Sequence, residues 1–209
     1  MQIRDYLLEI GDKSYYVILA RELRDSKSVL DVGCGDNSPL RKVLKTFRSV
    51  GLDIHQPNIV KSKKEKIHDD YLLSDVASIS LRVQPKSFDT VIALDLIEHL
   101  PKQEGKQLLR DLEKIAKKKV VIMTPNGFYR QDPYAGNPHQ IHRSGWKIED
   151  FTGLGYRVHG LRGLKWLRGE YATIRFKPWL IWGALSVLSQ PLVYSLPNLA
   201  YQILAVKNL

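Results

Sequence analysis

The stretch VLDVGCGDNSPL, residues 29–40, constrains this chain more than any other. A short apolar run enters a turn built on Gly33 and Gly35, and Ser38 and Pro39 follow as the residue types that cap and open a helix. Strand, glycine turn and helix in that order predict the first unit of an open parallel sheet, whose ligands sit at the carboxyl ends of the strands. The two glycines allow close backbone approach and dihedrals that side chains disfavour. Alone, the pattern leaves open whether the turn cradles a phosphate, a different ligand or nothing.

Asp31 narrows the choice. A carboxylate two residues before the first glycine would repel a pyrophosphate, whereas it suits a ligand with positive charge at that end, such as an ammonium group beside a sulfonium. After the second apolar run, SVGLDI, Asp53 is placed to accept both hydroxyls of a ribose, although a lone acid there also serves as a cap or turn residue.

The remaining chain alternates strand and helix patterns, as a parallel sheet with crossover helices does. SYYVILAREL predicts a leading helix, SVLDVG the first strand, SPLRKVLKTF a helix and SVGLDI the second strand; a basic exposed segment, KSKKEK, precedes a third strand ending before Asp75. FDTVIALDL reads as a fourth strand covered on both faces. KQEGKQLLRDLEKIAKKK reads as a helix with one apolar stripe and its lysines gathered at the C-terminal end. VVIMTPNG is the fifth strand, SGWKIEDFTGLG a capped helix, YRVHGLRG the sixth strand and AYQILAVK the seventh.

The expected fold is α/β: a Rossmann-like, doubly wound, seven-stranded sheet, mostly parallel with an antiparallel last strand and helices on both faces. A chain of 209 residues reads as one domain, here with a largely apolar insertion at about residues 162–198. With 44% apolar and 26% charged residues it is not a disordered chain. The single cysteine, Cys34, excludes an internal disulfide, and MQIRDYLLEIG lacks the apolar run of a signal peptide, so a reducing cytoplasm is expected. A net charge of +10 invites an anionic partner: nucleic acid, an acidic membrane surface or an acidic substrate.

Taken as a set, these segments resemble the class I S-adenosylmethionine-dependent methyltransferases. VLDVGCGDNSPL is similar to their first motif, Asp53 falls where they bind ribose, Asp75 where they place an acid near the adenine amino group, and SFDTVIALDLIEHL is similar to their fourth-strand motif. The resemblance runs from about residue 28 to about residue 160 and looks closest to the small-molecule, type 11 branch that includes quinone-biosynthesis enzymes. Asp36-Asn37-Ser38 stands where a third glycine is sought. The resemblance implies S-adenosylmethionine as cofactor, with Asp31, Gly33, Cys34, Gly35, Asp53, Ile54, Asp75, Val76 and Leu94 around it. Cys34 itself reads as a small packing residue of the turn rather than a nucleophile.

Methyl transfer from a sulfonium needs positioning and dryness more than a catalytic triad. No metal is expected, since IEHL has no metal-ligand spacing and the histidines look scattered. The long segment TPNGFYRQDPYAGNPHQIHRSGW follows the fifth strand on the cofactor side of the sheet, so it is the expected substrate loop. There His139 and His142 are candidate acid/base groups, or else residues that bind the loop to itself, and Asn126 and Tyr134 are candidates to orient substrate.

The fourth strand ends in ALDLIEHL and not in the Asn/Asp-Pro-Pro-aromatic pattern that related enzymes use to grip an exocyclic or amide nitrogen, which disfavours methylation of a base amine. The excess charge keeps an RNA methyltransferase in view. The leading reading is methyl transfer to a small or lipid-linked acceptor; the alternative is a non-catalytic adaptor that retains the fold.

The chain then carries no charged residue between Lys177 and Lys207. Pro191 and Pro197 interrupt this run, so a membrane span is disfavoured. Two readings stand: a helix packed on the domain or across a subunit contact, and an apolar lid or membrane contact. The second would use Trp166, Trp179 and Trp182 at the interface and Lys165, Arg168, Arg175 and Lys177 toward anionic headgroups.

Overall fold

The computed structural model describes residues 15–133 and 137–209, so the expected substrate contact Tyr134 lies outside the described residues. Seven strands form one sheet: β1 (Ser28–Val32), β2 (Arg48–Asp53), β3 (Asp70–Leu73), β4 (Phe88–Leu94), β5 (Ala116–Pro125), β6 (Arg157–Leu164) and β7 (Ala200–Asn208). Their order is β3-β2-β1-β4-β5-β7-β6, and β7 runs antiparallel to both neighbours while β1 to β5 are parallel. This is the expected doubly wound sheet. The helical residues 15–23 form α1, and α2 (Gln56–Lys64), α3 (Ile79–Arg82), α4 (Lys102–Ile115), α5 (Ile148–Thr152), α6 (Trp179–Leu188) and α7 (Gln190–Ser195) follow.

Side chains alternate across each strand, and here both faces are dry. Leu30, Val32, Val91, Ala93, Val120 and Ile122 face one cluster completed by Leu108, Leu109, Leu112 and Ile115 of α4 and by Trp146 and Phe151. Val29, Ile92, Val121 and Met123 face the other, completed by Tyr15, Leu19 and Leu23 of α1 and by Leu40, Val43 and Phe47.

Two expected elements are corrected. SPLRKVLKTF forms only a 3-10 turn over Pro39–Lys42, capped by Ser38, before the chain becomes extended at Val43. Leu40, Val43 and Phe47 still reach the core, so their helical spacing records burial and not a helix. The lysines after Ile115 belong to β5 and not to the end of α4. Strand placement lets Lys118 pair with Asp89 (2.8 Å) and Lys119 donate to the Glu22 carbonyl oxygen (2.7 Å). KSKKEK is also more regular than expected: it is the end of α2 and the turn after it, with Ser62 buried and its lysines exposed.

Between β6 and β7 the insertion packs α7 onto β6 so closely that a Cβ on Gly160 would stand 2.1 Å from the Val193 carbonyl oxygen. Helix α6 is turned inside out relative to an ordinary surface helix. Its buried residues are Gly183 and Ser186, whereas Leu180, Ile181, Leu185 and Leu188 are exposed. Arg168, expected to face headgroups, is instead buried, donating through Nε to the Arg162 carbonyl (2.6 Å) and through Nη1 to the Ala172 carbonyl (2.7 Å). No helix among the described residues is long and apolar enough to cross a membrane.

Candidate active site

The carboxyl ends of β1, β2 and β4 open onto a cavity of about 290 Å³. Gly33 (φ +70°) and Gly35 (φ +59°) form its floor. A Cβ on Gly33 would meet the Leu96 side chain at 2.6 Å, whereas one on Gly35 would meet nothing within 4 Å. The first glycine is therefore required by packing and backbone, the second by backbone alone.

Asp53 closes one wall. Its Oδ2 accepts from the Gly35 N–H (2.8 Å) and its Oδ1 from the His55 N–H (2.7 Å). Each oxygen keeps further lone-pair capacity, so the carboxylate is held rigidly and can still accept from a ligand. Asp75 is fixed in the same way by the Ala77 N–H (2.9 Å), and Ile54, Val76 and Leu96 supply apolar wall.

Three expected cofactor residues lie elsewhere. Asp31 is 2% exposed and is taken up by the Ser38 hydroxyl and by His68 Nε2 (2.9 Å). Cys34 is buried against Gly51, and burial, with Asp31 and Asp53 nearby, pushes its thiol far above the ordinary range. Leu94 belongs to the buried cluster behind the turn. None of the three lines the cavity.

A second cavity, of about 280 Å³, adjoins the first and shares Asp95, His99 and Gln140 with it. Asp95 adopts a left-handed backbone (φ +52°), which aspartate tolerates, and so turns the chain from β4 into the 3-10 turn Ile97–His99 above the sheet. Gln202 donates to Asp95 Oδ1, and its own Oε1 is buried with no partner among the described residues. Tyr129 and Tyr201 line the same space with ring centroids 4.8 Å apart.

The long loop divides its two histidines between these cavities. His139 is exposed and lines the first cavity, while His142 lines the second. His142 stands beside His99, ring centroids 4.8 Å apart, and Glu98 lies next to both. The histidines are thus not all scattered: the fold brings His99 and His142 together beside Glu98. The members of this cluster come from β4's exit turn and from a loop 43 residues onward, a distance no local spacing shows. Burial, and then His142, pushes the His99 imidazole down to about 4; burial also lowers His142. Burial and the Asp95 charge hold the Glu98 carboxyl well above its usual range.

Asn126, expected to orient substrate, has both amide hydrogens committed, to the carbonyls of Pro197 and Ala200 (both 3.0 Å), and ties the start of the loop to β7. Trp146 secures the other end: its indole N–H donates to the Ile97 carbonyl (3.2 Å) and to Ser144 Oγ (3.0 Å), while the Arg143 and Ser144 N–H groups donate to the Glu98 carbonyl.

Comparison with known proteins agrees with this geometry. The family described as "Methyltransferase domain" matches residues 30–124. A sterol 24-C-methyltransferase of Candida albicans is 34% identical over 89 residues, which are 40% of this chain and 24% of that protein. The chain thus spans about a quarter of the length of the curated relative it matches. Among solved structures, the methyltransferase domain of bacterial CtHen1-C superposes with a TM-score of 0.60 at 18% identity, covering 97% of this chain and 98% of that one. A SAM-dependent methyltransferase from Archaeoglobus fulgidus gives 0.57 at 18% identity, covering 98% and 100%. Magnesium protoporphyrin IX methyltransferase from Synechocystis, with bound SAM, gives 0.54 at 15% identity, covering 100% and 84%. These likenesses establish the fold, and they do not single out the quinone-biosynthesis branch.

Proposed function

We propose that the chain is a class I S-adenosylmethionine-dependent methyltransferase and that it methylates a small or lipid-linked acceptor held in the second cavity. The observation that carries this reading is the pair of adjoining cavities meeting at Asp95, His99 and Gln140. One is fitted to a nucleoside and the other offers an aromatic wall with an orphaned polar atom, the usual composition of a small-molecule site.

When bound, S-adenosylmethionine supplies a methyl group already activated by its sulfonium. In this reading Asp53 accepts the ribose hydroxyls and Asp75 takes the adenine amino group. Ile54, Val76 and Leu96 keep water from the ligand, and the open space above Gly35 admits it against the backbone. In this reading His142, which lines the second cavity, acts on the acceptor, while His139 lines the cavity assigned to the cofactor.

Titration calorimetry tests the assignment. S-adenosylmethionine and S-adenosylhomocysteine are expected to bind in the micromolar range, and Asp53→Ala to weaken both by about tenfold or more, the cost of losing a paired, charge-assisted contact. Absence of heat from folded protein with either ligand, or tighter binding of NAD, would overturn it.

The inside-out helix favours a lipid-linked acceptor and docking on an anionic membrane. Leu180, Ile181, Leu185 and Leu188 form an apolar surface on α6, whose first residue, Trp179, is half exposed; Trp166 is also half exposed, and Lys165, Arg175 and Lys177 precede the helix in the chain. The protein is expected to sediment with anionic vesicles and to release them in high salt. Ile181→Asp with Leu185→Asp should abolish sedimentation and leave S-adenosylhomocysteine binding intact. Equal sedimentation of wild type and variant would return this face to a subunit contact.

A further inference from the structure

The geometry points to a divalent-cation site formed by Glu98, His99 and His142 at the junction of the two cavities. Each offers one ligand atom, and these atoms all lie within 4.8 Å of one another. Both imidazoles are oriented for ligation. His99 Nδ1 lies 3.2 Å from the Ile141 carbonyl oxygen and His142 Nδ1 lies 2.6 Å from the Tyr129 carbonyl oxygen. A carbonyl can only accept, so both Nδ1 atoms carry the hydrogen and both Nε2 atoms carry the lone pair. A backbone carbonyl fixing the tautomer from behind is the usual support of a metal-bound histidine.

Glu98 completes the set. It is 2% exposed, and the Thr124 hydroxyl donates to its Oε2 at 2.9 Å. It has no cationic side-chain partner among the described residues, and Asp95 adds a second acid to the same cavity wall. A carboxylate so deeply placed is costly as a bare anion, and a proton or a cation relieves that cost.

Two imidazoles and one carboxylate match a first-row transition ion such as Zn²⁺ or Co²⁺ better than Mg²⁺ or Ca²⁺, which prefer oxygen ligands throughout. Three protein ligands leave coordination positions open toward the second cavity, as in catalytic rather than structural sites. Resting on the methyl-transfer reading, those positions would take an oxygen-bearing acceptor and hold it beside the cofactor. The cation site itself does not depend on that reading.

The test uses chelator-treated full-length protein and Co²⁺ as the probe, followed by visible absorption and calorimetry, with S-adenosylhomocysteine titrated into the same samples. One Co²⁺ per chain is expected, with Zn²⁺ competing and Mg²⁺ failing to compete at equal concentration. Glu98→Gln, which keeps size and the Thr124 contact, and His142→Ala, at a half-buried position, should each weaken Co²⁺ by about tenfold or more. S-adenosylhomocysteine affinity should stay unchanged. No Co²⁺ spectrum from folded wild-type protein, or an unaltered one from both variants, overturns the site. Co²⁺ binding without S-adenosylhomocysteine binding supports the site and overturns the transfer reading instead.

Discussion

Trp146→Ala is expected to lower the stability of the protein by about 3–5 kcal/mol, the range for removing a buried large aromatic. Trp146 is 0% exposed and packs beside Phe151 with centroids 5.4 Å apart. Its ring lies so close to α4 that a Cβ on Gly105 would meet Cζ2 at 2.4 Å, and Lys102 Nζ sits 3.7 Å from a ring centroid on its face. Truncation leaves a cavity under α4 and removes the indole N–H that donates to the Ile97 carbonyl and to Ser144 Oγ. In a chain of this length the loss corresponds to a fall in melting temperature of roughly 6–20 °C. Trp146→Phe keeps most of the packing and loses the N–H, so it should cost only about 1–2 kcal/mol. Urea denaturation of both variants decides the matter: a Trp146→Ala midpoint equal to wild type would show that the loop is anchored elsewhere. The same side chain sits under Ile97 and Ser144, which flank Glu98 and His142, so its removal should also loosen the site.

Periodicity made most of this fold legible. The alternation of Val120, Val121, Ile122 and Met123 between two dry clusters is visible in sequence as a continuous apolar run, and a strand covered on both faces has no other way to look. The pattern failed where burial and backbone part company. Leu40, Val43 and Phe47 occupy helical spacing on a chain that leaves the helix after one 3-10 turn. Nor does the sequence announce an inverted helix, because α6 is apolar all round and only its packing shows that Gly183 and Ser186 face inward.

Site legibility divides the same way. Gly33, Gly35, Asp53 and Asp75 lie at strand ends, where topology alone brings ligand-binding residues together, and all four line one cavity. Glu98 and His99 stand within the resemblance-bearing segment IEHL, yet their chemistry depends on His142, which arrives through a loop whose ends are fixed by Asn126 and Trp146. The signal that was available is a buried acid next to a histidine directly after a core strand. Polar residues at that position are costly to bury and so call for a ligand.

Asp31 and Asp53 look alike in the sequence, each an acid at or near the end of a core strand, and substitution should separate them. Asp31→Ala is expected to cost about 3 kcal/mol of stability, because it strips the buried His68 ring and the Ser38 hydroxyl of a shared acceptor. Ser38 also caps the 3-10 turn through the Leu40 N–H, so the effect reaches the segment that carries Leu40, Val43 and Phe47 into the core. The melting temperature should fall by roughly 6–12 °C. S-adenosylhomocysteine affinity should change little at a temperature where the variant is folded, since the carboxylate does not line the cavity. Asp53→Ala should show the reverse, a large loss of affinity with a smaller loss of stability. An Asp31→Ala protein that melts like wild type but binds the ligand tenfold more weakly would restore the sequence reading, in which this acid faces the ammonium group of the cofactor.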